Sequence, residues 1–282
     1  MNEIFAIDPS APKDIKDIKA MFEHFGFSNG RFIANYPGDW RQMLALYVSR
    51  LEGLDRSRFT RLLDIHRDTL LKVDGEFRRS KSWLENASQS NLKRYGVEKI
   101  LADDPNPLGV ETLNDFLWNY DVDNLSRGAH IPMTIESYRH AISPLFEHQS
   151  EIHIVDPYFQ LRTERGDIHR MKSSFVRDVI ILADKSSRCE HLRIHFKRSL
   201  GSSEEVQENF IEKDLSEIVE SCGVERLSVT YMIWGDMAHG RYIFGIKGGL
   251  QFDYGFEIIR NKKNHVHWLS KSELEPIVMQ YI

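Results

Sequence analysis

The sequence predicts an α/β chain in two parts, a helical N-terminal module over residues 1–130 and a mixed sheet flanked by helices over residues 131–282. Three observations lead there. From about residue 38 to 125, apolar residues recur at three- and four-residue spacing, the period of a half-buried helix. After "SRGAHIPMT", short apolar runs alternate with amphipathic ones in the order β-α-β-α-β-β-β-β, as in a mixed sheet with helices packed on it. The chain has 282 residues, 41% of them hydrophobic and 28% charged, enough to bury one large core or two modest ones.

The first 37 residues resist assignment, because "GFSNGRFIANYPGDW" is rich in turn formers and reads as an ordered loop or a short hairpin. A helix follows in "DWRQMLALYVSRLEG", with Trp40, Met43, Leu44, Tyr47, Val48 and Leu51 on one face and Gly53 as its stop. "RSRFTRLLDIHRDTLLKV" continues the pattern through Phe59, Leu62, Leu63, Ile65 and Leu70. "GVETLNDFLWNYDV" supplies a further short helix after the breaker "DDPNPLG".

In the second part, "MTIESYRHAISPLFEHQ" reads as a helix capped by Thr134 and bent or ended by Pro144. "EIHIVDPYF" is a short buried strand that closes on an Asp-Pro turn. "HRMKSSFVRDVIILADKS" is helical, "HLRIHFKRS" is a strand, and "SSEEVQENFIEKDLSEIVESCG" is a helix whose acidic first turn suits its dipole. "RLSVTYMIW", "GRYIFGI", "LQFDYGFEI" and "HVHWLS" complete the series as strands.

Composition narrows the function. A net charge of −5 argues against a generally basic nucleic-acid binder. Residues 51–100, however, hold 11 basic against 8 acidic side chains, and residues 101–150 hold 2 against 8. The basic segment between Arg56 and Arg94 reads as a solvated helix surface or as a face for nucleic acid or an acidic protein partner. No stretch approaches the ~20 apolar residues of a membrane span. The N-terminus has no basic region followed by an apolar core, so no signal peptide is expected. Two cysteines, Cys189 and Cys222, make no disulfide framework, and a reducing cytoplasmic setting fits them.

The ends of the predicted parallel strands are where ligands meet sheets of this kind. The first strand delivers Asp156, the second Lys197 and Arg198, and the third runs through "GDMAHGRY" to His239 and Arg241. Residues two apart on a strand face the same way, so His239 and Arg241 can address one ligand together. A guanidinium fork matches phosphate oxygens, and a neutral imidazole can attack phosphorus or carry a proton. Asp253 and Glu257 follow beside glycines, as carboxylates to orient His239 or to pair with Arg241 and Lys247.

The order "IHIVDPYF", helix, "LRIHFKRS", helix, strand, "HGRY" resembles one half of the phospholipase D superfamily. "HGRYIFGIKGGLQFDYGFE" also resembles the phospholipase-D-like domain that follows MIT domains, and related bacterial proteins. The resemblance covers roughly residues 135–282. It implies a phospholipase D-like fold for residues 131–282 and metal-independent phosphodiester chemistry with no cofactor. His239 would be nucleophile or general acid-base, with Arg241 and Glu257 beside it. Lys197, Arg198, Asp156 and Asp253 would surround the phosphate. The family's catalytic members carry His-x-Lys with an Asp further on. Here Arg241 stands for the Lys and Ile246 for the Asp. A second match, His195-x-Lys197, has Ser202 at the Asp position and lies within a strand, so it is set aside as a motif.

Since family catalysis uses two histidines, one motif per chain implies a homodimer sharing its sites across a twofold axis. The resemblance therefore points to a nuclease working as a dimer on nucleic acid, in a role such as bacterial phage defence. The MIT-associated domain implies the alternative, a non-catalytic module that binds phosphates on nucleic acid or a membrane. A third reading is a partner-recruiting scaffold with a vestigial site, in which Asp253 or Glu257 closes a salt bridge on Arg241. No Walker loop, GxGxxG fingerprint or GxSxG elbow competes. His265 and His267 share a strand face, a metal-site spacing that would need a third ligand. Trp234, just before the His-x-Arg, either floors a pocket or seals the sheet.

Overall fold

The fold is described from a computed structural model, for residues 2–50, 56–90, 92–103, 110–119, 127–162, 167–198, 204–237 and 239–282. The chain divides into two compact units, residues 2–126 and 127–282.

The first unit corrects the helical expectation for residues 1–130. Its strands are β1 (Glu3–Ile7), β2 (Arg31–Asn35), β3 (Leu70–Lys72), β4 (Val97–Ala102) and β5 (Val110–Thr112). They form a parallel sheet in the order β3-β2-β1-β4-β5. Helices α1 (Ile15–His24), α2 (Trp40–Val48), α3 (Arg56–Ile65), α4 (Trp83–Gln89) and α5 (Leu113–Asn119) connect them. In β1 and β2 almost every residue is buried, so both read as plain apolar runs without alternation. Phe5, Ile7, Ile33 and Leu101 pack with Met21, Phe22, Trp40, Leu44 and Phe116 from the helices.

Two helical readings in this unit were too long. α3 stops at Ile65 and Leu70 opens β3, while Val110–Thr112 is strand ahead of α5. Nor is the segment Arg56–Arg94 one basic helical face, because it spans α3, β3 and α4 with the turns between them. Several of its cations are matched locally, with Lys72 on Asp74, Arg78 on Glu76 and Arg79 on Asp39. Gly53 and the breaker at 104–109 lie outside the described residues.

The second unit is a seven-stranded mixed sheet. β6 (Gly128–Pro132) is followed by α6 (Ile135–His148), β7 (Glu151–Val155), α7 (Arg170–Lys185), β8 (His191–Lys197), α8 (Glu204–Cys222) and β9 (Ser228–Trp234). Then come β10 (Arg241–Gly245), β11 (Gly248–Phe252), β12 (Lys263–Trp268) and α9 (Lys271–Tyr281). The spatial order is β6-β12-β11-β10-β7-β8-β9. β7, β8 and β9 run parallel and the remaining pairs antiparallel. β6 and α9 were not foreseen in the sequence.

Strand alternation gives the sheet two working faces. On one, Tyr138 of α6 meets Phe175 of α7 and Phe252 of β11. On the other, α9 lays Leu274 and Tyr281 over Val155 and Phe244. Thr134 caps α6, its side chain accepting from the Ser137 N–H, and the helix runs on through buried Pro144 to His148. Ser270 and Glu273 cap α9 reciprocally. Among the described residues, no helix is long and apolar enough to cross a membrane.

Candidate functional site at the strand-end rim

β10 runs antiparallel to β7, with Tyr242 opposite Val155. The residue entering β10, Arg241, therefore faces the residue leaving β7, Asp156, on the same side of the sheet. Arg241 Nε lies 3.5 Å from Asp156 Oδ1, at ion-pair distance but without hydrogen-bond geometry. Its Nη1 donates to the Asp253 carbonyl at 2.7 Å. Nη2 has no protein partner among the described residues.

Asp156 is almost fully buried, and its Oδ1 accepts the Tyr158 N–H at 2.9 Å, the local turn an Asp-Pro step favours. Burial pushes its carboxyl above the usual range. The Tyr158 N–H, Arg241 and Lys172 pull it back down, and Glu257 adds to the rise.

That turn presents Tyr158 to solvent. Its hydroxyl is 3.0 Å from His239 Nδ1, and the Arg241 guanidinium lies over its ring at 5.0 Å. Lys172, in the first turn of α7, donates to the Tyr158 carbonyl at 2.7 Å and approaches Glu257 Oε1 at 3.7 Å.

Glu257 arrives on the loop after β11, which Asn264 of β12 holds in place. The Asn264 side chain accepts from the Tyr254 N–H at 2.9 Å and donates to the Tyr254 carbonyl at 3.0 Å. Gly255 lets the loop pass close to the site, since a Cβ there would lie 3.1 Å from Asp156 Oδ2.

Asp156, His239 and Arg241 thus meet, joined by Tyr158 and Lys172, neither of which was singled out from the sequence. Tyr158 was detectable two residues beyond Asp156 in "VDPYF"; Lys172 carried no signal of its own. The other four candidates are placed differently. Glu257 pairs with Lys172 rather than His239. The Asp253 carboxylate faces His265 Nδ1 at 3.4 Å, and only its carbonyl serves Arg241. Lys197 pairs in register with Trp234 and shares the face of His195, opposite to Arg241. Arg198 is tied by its N–H to the Trp234 carbonyl at 2.8 Å. The scaffold reading expected Asp253 or Glu257 to close on Arg241; the carboxylate that does so is Asp156.

Trp234 seals the sheet. Its Nε1 donates to His195 Nδ1 at 2.8 Å, and His195 Nε2 lies 2.9 Å from His153 Nδ1. Since Trp only donates, His195 carries its proton on Nε2 and passes a hydrogen bond to His153. Both imidazoles are fully buried under Tyr281 and Phe244, and burial depresses their pKa values to about 3 for His195 and about 4 for His153.

The His265–His267 pair gains a neighbour in His130, whose ring centre is 4.9 Å from that of His265. Among the described residues, no three or more such side chains are placed to hold a metal ion. Cys189 is buried, its thiol pushed up to about 12, which leaves no reactive thiolate. No protein-family model matches the chain, and no curated protein matches its sequence.

Proposed function

We propose that the protein acts on phosphodiesters of nucleic acid, and that the phosphate binds at the rim formed by Asp156, Tyr158, His239 and Arg241. The observation that carries this reading is the exposed His239, held by the hydroxyl of the same Tyr158 whose ring the Arg241 guanidinium covers. A guanidinium and an anchored imidazole that share one tyrosine suit an anionic oxygen and the atom bonded to it. The order of strands and helices leading to His-x-Arg supports a phospholipase D-like arrangement for residues 127–282.

The chemistry follows from the imidazole's tautomer. With Nδ1–H donating to the Tyr158 oxygen, the Nε2 lone pair is available to attack phosphorus. A P–N bond forms and the P–O bond to the leaving group breaks. The leaving oxygen takes its proton from a second, protonated imidazole, which then removes a proton from the water that hydrolyses the P–N bond. The motif supplies one imidazole per chain, so the second is His239 of another copy, in a homodimer. Arg241 stabilises charge on the non-bridging oxygens.

A second reading, phosphate binding without cleavage, is favoured by the group behind His239, a phenol rather than a carboxylate, which orients the ring but places no negative charge beside it.

The test is incubation of the protein and its His239→Ala variant with labelled DNA and RNA in EDTA, scoring cleavage and retention. Cleavage lost in the variant is the result expected of the nuclease. Retention without cleavage selects the binding module. Neither cleavage nor retention would dispose of both.

A further inference from the structure

We infer that the rim takes an unpaired base beside the bound phosphate, so that its substrate class is single-stranded nucleic acid; this rests on the phosphodiester reading above. The observation is the disposition of three side chains. The hydroxyl of Tyr158 meets His239 Nδ1 at 3.0 Å, and an imidazole nitrogen bonds within the plane of its ring. The two ring centres are 6.4 Å apart and the planes differ by only 26°. Tyr158 and His239 therefore lie end to end as one near-continuous aromatic plane, rather than one upon the other.

The guanidinium of Arg241 covers one face of Tyr158 at 5.0 Å. Tyr158 nevertheless remains 53% exposed, so its outer face is open to solvent. An exposed aromatic face backed by a cation, at a phosphate site, is the arrangement on which unpaired bases stack. A paired base inside a duplex does not offer its face in this way, whereas a splayed single-stranded base does. Tyr158 is anchored mainly through its backbone, its N–H on Asp156 and its carbonyl on Lys172. The ring can therefore be changed while those anchors stay.

The experiment uses the full chain in EDTA and one labelled, phosphorothioate-linked oligonucleotide. It is presented as a single strand, as a duplex with its complement, and as an abasic strand that keeps the phosphates and lacks the bases. Fluorescence anisotropy compares the parent protein with Tyr158→Leu and Tyr158→Phe, and circular dichroism checks that both fold.

The single strand is expected to bind tightest. Tyr158→Leu should weaken it roughly 5- to 140-fold, the fold-change for a stacked base worth about 1–3 kcal/mol at about 1.4 kcal/mol per tenfold. Tyr158→Phe keeps the ring and should lose far less than Tyr158→Leu, what it does lose reporting the hydroxyl that holds His239. Equal binding of single and abasic strands, or a Tyr158→Leu variant as tight as the parent, would overturn the base platform and leave the phosphodiester reading standing. Failure of all three forms to bind would overturn both.

Discussion

Acidification from pH 7 to pH 5 should destabilise residues 127–282 through two buried imidazoles. The groups responsible are His153 of β7 and His195 of β8, neutral and fully buried. Around them stand Glu151 on β7, Arg193 on β8, Trp234 on β9, Phe244 on β10 and Tyr281 on α9. A proton on either ring converts an acceptor nitrogen into a donor and breaks the bond from Trp234 or the bond between the rings. Folded pKa values of about 4 and about 3 lie below the value of 6.5 for the unfolded chain. Between those limits the unfolded state binds more protons, so stability rises with pH. The contribution is complete above pH 6.5 and is lost as the pH falls from there towards 4 and 3.

At pH 5 each histidine has forfeited about 2 kcal/mol, at about 1.36 kcal/mol per pH unit. Together they remove about 4 kcal/mol, a large share of a domain stability of about 5–15 kcal/mol. His267, also held low by burial, acts in the same direction. Urea titrations at pH 7, 6 and 5, with hydrogen exchange resolved at β7 and β8, measure the effect. Equal protection of those strands at pH 7 and pH 5 would refute the neutral, directed chain of hydrogen bonds.

Other expectations follow from single contacts. Trp234→Phe keeps the aromatic seal and deletes the donor to His195 Nδ1, so it should cost about 1–3 kcal/mol in a urea melt. In Gly245→Ala, the new Cβ would collide with Gln149 Oε1 and lie 2.6 Å from the Glu151 carbonyl, so a loss of about 1–3 kcal/mol is expected on thermal melting. Asp156→Asn keeps the acceptor for the Tyr158 N–H and removes a charge that burial disfavours, so stability in a urea melt should stay close to that of the parent. The same change should tighten retention of oligonucleotides, and weaker retention would mean that Asp156 positions Arg241 rather than competing for it.

The second unit was legible because its strands are short, its helices amphipathic and its boundaries marked by Asp-Pro, Gly and Ser. The first was not, because β1 and β2 are five-residue runs buried on both faces. Such runs have no alternation, and β4, "VEKILA", lay within a stretch of helical texture. At the rim, Asp156 could be found as the end of a strand, while His239 and Arg241 join it because β10 starts, antiparallel, where β7 ends, and not at the end of a third parallel strand. The partners of Arg241 depended on how the loop after β11 folds back. Asn264 pins that loop so that Asp253 turns its carboxylate to His265 while Glu257 goes to Lys172. Lys197 fell on the opposite face through the two-residue period of β8, which could have been counted from His195.

The most direct test of a phosphate site at this rim is an NMR titration of the imidazole rings with a phosphorothioate-linked dinucleotide. His130 and His265, on β6 and β12, serve as internal references. A saturable shift of His239, with the references unmoved, is the predicted result. A His239 signal that stays in place at saturating ligand, or moves only in step with the other two, would contradict it.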